Sequence, residues 1–191
     1  MPQVKLLDKT EMGWYARLMN WAARRMMGKE AEPIRIMAHN PRFLLPYAGM
    51  GTFAQGRTEL DPRIRQMAMH LASHLNSCAW CIDYGGALAQ KAGWDVRKMD
   101  AVLDYADSPL FTPAERAALA FADQATQVGA RVSDETFAEL HRHFSDREIV
   151  ELAAAVAAEN FFNRMNASLG VEAQGFCALP SYASPPVAAT A

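Results

Sequence analysis

The stretch Asp61-Pro62-Arg63-Ile64-Arg65-Gln66-Met67-Ala68-Met69-His70-Leu71-Ala72-Ser73-His74-Leu75-Asn76-Ser77-Cys78-Ala79-Trp80-Cys81 decides the fold. Asp61 followed by proline reads as a helix entry: the carboxylate caps a free N–H, and proline at the first turn has none to leave unpaired. Ile64, Met67, Ala68, Leu71 and Leu75 then recur at helical spacing and share one face. This helix delivers the chain to Cys78 and Cys81, from which a second helix-like run, 82–91, departs. Asn76 and Ser77 are both good cap residues for that second helix.

Similar signals continue on either side. Asp8-Lys9-Thr10-Glu11 resembles a capping box, predicting a helix from 8 to 27 with Trp14, Leu18, Trp21 and Ala22 on one face. Pro33 and Pro41 punctuate two shorter helices, near 34–39 and 42–55. Gly93 stops the helix after the cysteines, and a shorter one covers 95–105. Thr112-Pro113-Ala114-Glu115 combines cap, proline and capping glutamate, starting a helix to 127. Ser133 caps a helix to 143, and Ser145-x-x-Glu148 opens a long one that Gly170 ends after Leu169. Sustained polar–apolar alternation between turn residues is missing. The expected fold class is therefore all-α, a helical bundle. It forms one domain over 1–177, with a core at 40–170 and the helix 8–27 serving packing or oligomerisation. The stretch 178–191 has too little to bury and is expected to be a flexible tail.

Composition narrows the class. The chain of 191 residues is 51% hydrophobic and 21% charged, ordinary for a soluble globular protein. A net charge of -2 argues against nucleic acid or an anionic membrane as partner. The apolar runs are too short or too interrupted by charge to span a bilayer. The start, Met1-Pro2-Gln3-Val4-Lys5, lacks the layout of a secretion signal, and an odd count of three cysteines does not suggest a secreted disulfide framework. The expected location is the cytosol, where a C-x-x-C pair is more often catalytic, redox-active or metal-binding than structural.

Cys78 and Cys81 admit three readings. They can be a redox dithiol, since helix amides and the helix dipole at such a position favour a thiolate. They can be half of a zinc site, with His70 and His74 completing a nominal His2Cys2 set. They can also simply pack in the core. Zinc is disfavoured because His70 and Cys78 on one straight helix lie about 12 Å apart along its axis. Neither a metal nor another cofactor is expected.

With Ser73, Asn76, Cys78, Trp80 and Cys81 in register on an all-helical chain, this stretch resembles the carboxymuconolactone decarboxylase superfamily, and within it the alkylhydroperoxidase D-like branch. Residues 159–170 resemble the closing helix of that family. The resemblance implies a thiol-dependent peroxidase or disulfide oxidoreductase acting on a hydroperoxide or disulfide. It also implies an unidentified thiol reductant and a homo-oligomer. In the family pattern Cys81 is attacked by peroxide and Cys78 condenses with the resulting sulfenic acid, a collapse that a neighbouring thiol performs readily. Helix geometry by itself tends to expose the first cysteine rather than the second.

The chain departs from the family at two positions. Where the peroxidases carry a glutamate twelve residues before the first cysteine and a histidine four after the second, this chain has Gln66 and Gly85. Neither exchanges a proton near neutral pH. His74 and Asp83 are the candidates to replace that relay, His74 because an imidazole titrates near neutrality and, when charged, lowers a nearby thiol pKa. The alternatives are an exposed helix histidine and a first-turn carboxylate that favours the helix dipole. Trp80, Gln66 and Tyr84 are expected to line the substrate pocket.

Glu159, Asn163 and Asn166 form a polar stripe on an apolar helix, lining a cavity, bonding across subunits or satisfied by neighbouring loops. His39, His141 and His143 read as surface or helix-end residues, and Cys177 as a bystander. Two rivals stand beside the oxidoreductase: a non-catalytic oligomeric redox sensor or scaffold, and a lactone decarboxylase-like enzyme. The decarboxylase branch typically lacks the cysteine pair.

Overall fold

A computed structural model of the chain describes residues 2–178. Among them the regular structure is entirely helical. In chain order the helices are α1 (Trp14–Met27), α2 (Glu32–Met37), α3 (Pro41–Gln55), α4 (Pro62–Leu75), α5 (Ala79–Lys91), α6 (Val96–Asp100), α7 (Pro113–Thr126), α8 (Asp134–Leu140) and α9 (Asp146–Ser168). A short 3-10 turn, Val102–Asp104, follows α6. No helix among the described residues is long and apolar enough to cross a membrane. Of the expected tail 178–191, all but Ala178 lies outside the described residues.

The cap chemistry accounts for most helix starts. Asp61 accepts the Arg63 N–H to open α4, and Thr112 and Ser145 form complete capping boxes with Glu115 and Glu148. Four boundaries differ from the sequence expectation. Pro33 lies inside the first turn of α2, which spans Glu32–Met37 rather than 34–39. The box-like turn at Asp8 forms, with Glu11 accepting the Asp8 N–H, but Gly13 interrupts it and α1 begins only at Trp14. Residues 95–105 divide into α6 and the 3-10 turn, and α8 ends at Leu140 rather than near 143.

Two apolar layers meet along α9. On one side Met67 and Leu71 of α4 pack with Leu119 and Phe121 of α7 and Leu152 and Val156 of α9. Each such side chain contributes about 1.5–3 kcal/mol on burial. On the other side Ala16 of α1, Ile36 and Met37 of α2 and Leu44 and Tyr47 of α3 pack with Phe161, Phe162 and Met165 of α9. The face of α1 bearing Trp14 (72% exposed) and Trp21 (61%) points outward, together with Leu18.

Candidate functional site

The junction between α4 and α5 builds the site. Cys78 N–H donates to the Ser73 carbonyl and Ser77 N–H to the His74 carbonyl, both at 3.0 Å. This is a Schellman closure, with Ser77 in the left-handed position at φ 52°. The thiol position of Cys78 then accepts the Cys81 N–H at 3.3 Å, so Cys78 itself is the N-cap of α5. One residue closes α4 and opens α5. Asn76 and Ser77, expected to cap the second helix, instead terminate the first. The turn breaks the straight helix that the zinc argument had assumed.

Cys78 and Cys81 are joined in a disulfide. Cys78 is 1% exposed and Cys81 5%, so both are buried, but their surroundings differ. Cys81 borders a cavity of about 420 Å³ whose walls include Met19, Tyr47, Met69, Trp80, Tyr84 and Phe162. Cys78 is not among its lining residues. Asn166 of α9 directs its side-chain N–H at Cys81 Sγ, 3.5 Å away. Hydrogen-bond donors of this kind favour the charged form of an acid.

The expected pocket residues Gln66, Trp80 and Tyr84 all border this cavity. Trp80 stacks on Tyr84 at 4.7 Å with an interplanar angle of 13°, and donates through Nε1 to Gln174. Gly85 has a specific neighbourhood. A Cβ there would lie 3.0 Å from His70 Nδ1 and 3.2 Å from Gln66 Nε2. Side chains from α4 thus occupy the volume into which a residue on α5 would project.

His74 is half-buried, its Nε2 3.2 Å from that of His70. Burial holds His74 below its ordinary pKa, partly countered by Asp100. His70 is fully buried and pushed well below its usual range by burial and by His74, so its imidazole is neutral at pH 7. Of these two, His70 lines the cavity and His74 does not. Asp83 is buried on α5, and its carboxylate accepts the backbone N–H groups of Gln174, Phe176 and Cys177 at 2.8, 3.0 and 2.7 Å. Those bonds fasten residues 174–177 against α5. Cys177 packs behind them against Ile82, Ala87 and Met27.

The polar stripe of α9 turns inward. Glu159 Oε1 accepts from Ser73 Oγ at 2.8 Å and from Asn163 Nδ2 at 2.7 Å. Asn76 donates to the side-chain oxygens of Asn160 and Asn163, and Asn160 donates to Thr126 of α7. Glu159 also lines the cavity. Burial pushes its carboxyl up to about 7, against the downward pull of Ser73 and Asn163. In the sequence the spacing of this stripe marked a shared face; the partners 86 and 87 residues away carried no local signal.

Residues 41–124 match the model of the carboxymuconolactone decarboxylase family. YnjA of Escherichia coli (strain K12), an uncharacterised protein, is 30% identical over 161 residues, 84% of this chain and 88% of the relative. A peroxidase-related protein from Ralstonia eutropha, described as an alkylhydroperoxidase AhpD core, superposes with a TM-score of 0.78 at 21% identity. That match covers 92% of this chain and 94% of the other. The debrominase Bmp8 superposes with a TM-score of 0.80 at 23% identity, covering 89% and 91%. The chain belongs to the carboxymuconolactone decarboxylase family.

Proposed function

We propose that this protein is a dithiol oxidoreductase that reduces small apolar hydroperoxides, with Cys81 as the attacking thiol and Cys78 as the resolving one. The observation that carries the reading is the asymmetry of the pair: Cys81 borders the apolar cavity and Cys78 does not. A substrate in the cavity reaches only Cys81, whose thiolate the Asn166 N–H stabilises. Cys78, buried behind it, accepts the Cys81 N–H at the start of α5, which favours its thiolate when the sulfenic acid must be resolved. A thiol reductant, as a cytosolic setting supplies, returns the pair to the dithiol. His74 then tunes His70 rather than touching substrate, and Asp83 holds the C-terminal segment. The exposed Trp14, Leu18 and Trp21 face is the surface through which copies associate.

The test is oxidation of the fully reduced protein by cumene hydroperoxide. Cys81→Ser is expected to abolish the reaction, and Cys78→Ser to stop at a sulfenic acid that dimedone traps on Cys81. Mutants that behave alike, at rates no faster than a free thiol, would leave the sensor or scaffold as the better account. A second reading, reductive removal of halide from a small aromatic ring, is favoured by the aromatic walls Tyr47, Trp80, Tyr84 and Phe162. The likeness in fold to a debrominase accompanies it. Halide release from 2,3,4-tribromopyrrole, with cumene hydroperoxide left unreduced, would select that reading.

A further inference from the structure

We propose that Glu159 is the acid–base residue of this site: it takes the proton from the Cys81 thiol and returns it to the leaving oxygen of a hydroperoxide in the cavity. The inference rests on the peroxide-reducing reading above and supplies the group that the Gln66 and Gly85 positions do not.

Glu159 and Cys81 belong to different helices but line the same cavity. Both hydrogen bonds to the carboxyl fall on Oε1, from Ser73 and Asn163, which leaves Oε2 as the oxygen available to the cavity. Asn163 is itself held by Asn76, so the carboxyl is fixed in orientation. A carboxyl held in one orientation on the cavity wall is one condition of general acid–base catalysis.

The neighbouring groups leave this role to Glu159. From α3, Tyr47 faces it with a phenol pushed far up by burial and by Glu159 itself. From α4 come Gln66, which exchanges no proton, and His70, held neutral by burial, with His74 behind it. From α5 come Tyr84, whose pKa is also raised by burial, and Cys81. From α7 the link is Thr126, a neutral hydroxyl, through Asn160. The carboxyl, pushed up to about 7, is populated in both forms near neutral pH.

The proton and electron balance closes. Carboxylate Glu159 accepts the proton of Cys81–SH, giving a thiolate and a carboxylic acid. The thiolate attacks the terminal oxygen of ROOH; the S–O bond forms and the O–O bond breaks. The departing RO⁻ takes the carboxyl proton and leaves as ROH, and Glu159 is again a carboxylate. Cys78–SH then attacks the sulfenic sulfur: the S–S bond forms, the S–O bond breaks, and hydroxide leaves with the thiol proton as water. The peroxide gains two electrons and the thiol pair loses two.

The experiment measures the rate at which cumene hydroperoxide oxidises the fully reduced protein between pH 5 and 9, for wild type, Glu159→Gln, Glu159→Asp and Ser73→Ala. The wild type is expected to show an inflection near pH 7. Glu159→Gln should lose that inflection and slow by about 100-fold at pH 7. Glu159→Asp should restore part of the rate. Ser73→Ala, which removes a hydrogen bond that favours the carboxylate, should move the inflection to higher pH and answers the question even if Glu159→Gln folds poorly. A Glu159→Gln protein with the wild-type rate and inflection, or an inflection unmoved in Ser73→Ala, overturns the assignment while Cys81-dependent peroxide reduction stands. Wild-type rates no faster than a free thiol overturn both.

Discussion

Replacing Glu159 by glutamine should make the stability of this protein less sensitive to a rise in pH from 4.5 to about 7, by an amount that can be worked out beforehand. Burial moves the carboxyl from its ordinary 4.5 to about 7 in the folded protein. The folded chain therefore binds the proton more tightly than the unfolded one. The associated stability is fully present below 4.5, falls as pH rises through the window up to about 7, and is gone above it. At 1.36 kcal/mol per unit, the carboxylate form costs about 3 kcal/mol of folding stability at pH 8. Glutamine keeps an oxygen for the Ser73 and Asn163 donors and cannot ionise. The variant should match wild type at pH 4.5 and exceed it by about 3 kcal/mol at pH 8, or roughly 6–12 °C in melting temperature. Urea and thermal unfolding followed by circular dichroism, on both proteins at both pH values, measure this directly. Comparison at the same pH cancels His70, whose lowered pKa acts in the opposite sense and removes stability as pH falls below its ordinary range. A variant-minus-wild-type difference that is flat with pH would refute the reasoning.

Further outcomes follow from the same geometry. Asp83→Ala should cost about 3 kcal/mol and accelerate hydrogen exchange at the amides of Gln174, Phe176 and Cys177; protected amides there would disprove its fastening role. Gly85→Ala should gain the helix propensity of about 1 kcal/mol only in a His70→Ala background, because His70 Nδ1 stands 3.0 Å from the new Cβ. Equal effects in both backgrounds would remove the proposed crowding. Ser77→Gly should stabilise the protein by about 0.5 kcal/mol by relieving the left-handed residue at the helix junction, and chemical denaturation would register a loss instead if the serine side chain mattered more. Lysines at Trp14 and Trp21 should leave each subunit's fold intact and lower the mass measured by light scattering; an unchanged mass would locate any association elsewhere.

Local signals carried the helices, and non-local ones carried the site. Thr112, Ser145 and Asp61 announced their helices because a cap acts within three residues of itself. The start of α1 was less legible because the turn at Asp8 satisfies its own hydrogen bonds before Gly13, and nothing in the box distinguishes that from a continuing helix. The dithiol was legible from spacing and neighbours, whereas its asymmetry is not, since the cavity draws its walls from six helices. Gly85 read as a missing side chain. Only the packing of α4 against α5 shows that its volume is filled by His70 and Gln66. Glu159 stood out as a carboxyl on an apolar helix, but its environment depends on Ser73, which arrives from the other half of the chain.

The bonds from Asp83 to residues 174–177 also bear on how the chain is made. Synthesis runs from the N-terminus at about 5–20 residues per second, so some 5–20 s separate the appearance of Cys81 from that of Cys177. For most of that interval α9, which supplies Asn166 and Glu159, has yet to be made and cover the thiols. A nascent chain thus presents Cys78 and Cys81 to its surroundings as ordinary thiols, open to any oxidant or partner thiol nearby. The enclosed pair arises only when the last helix and the segment behind it have docked.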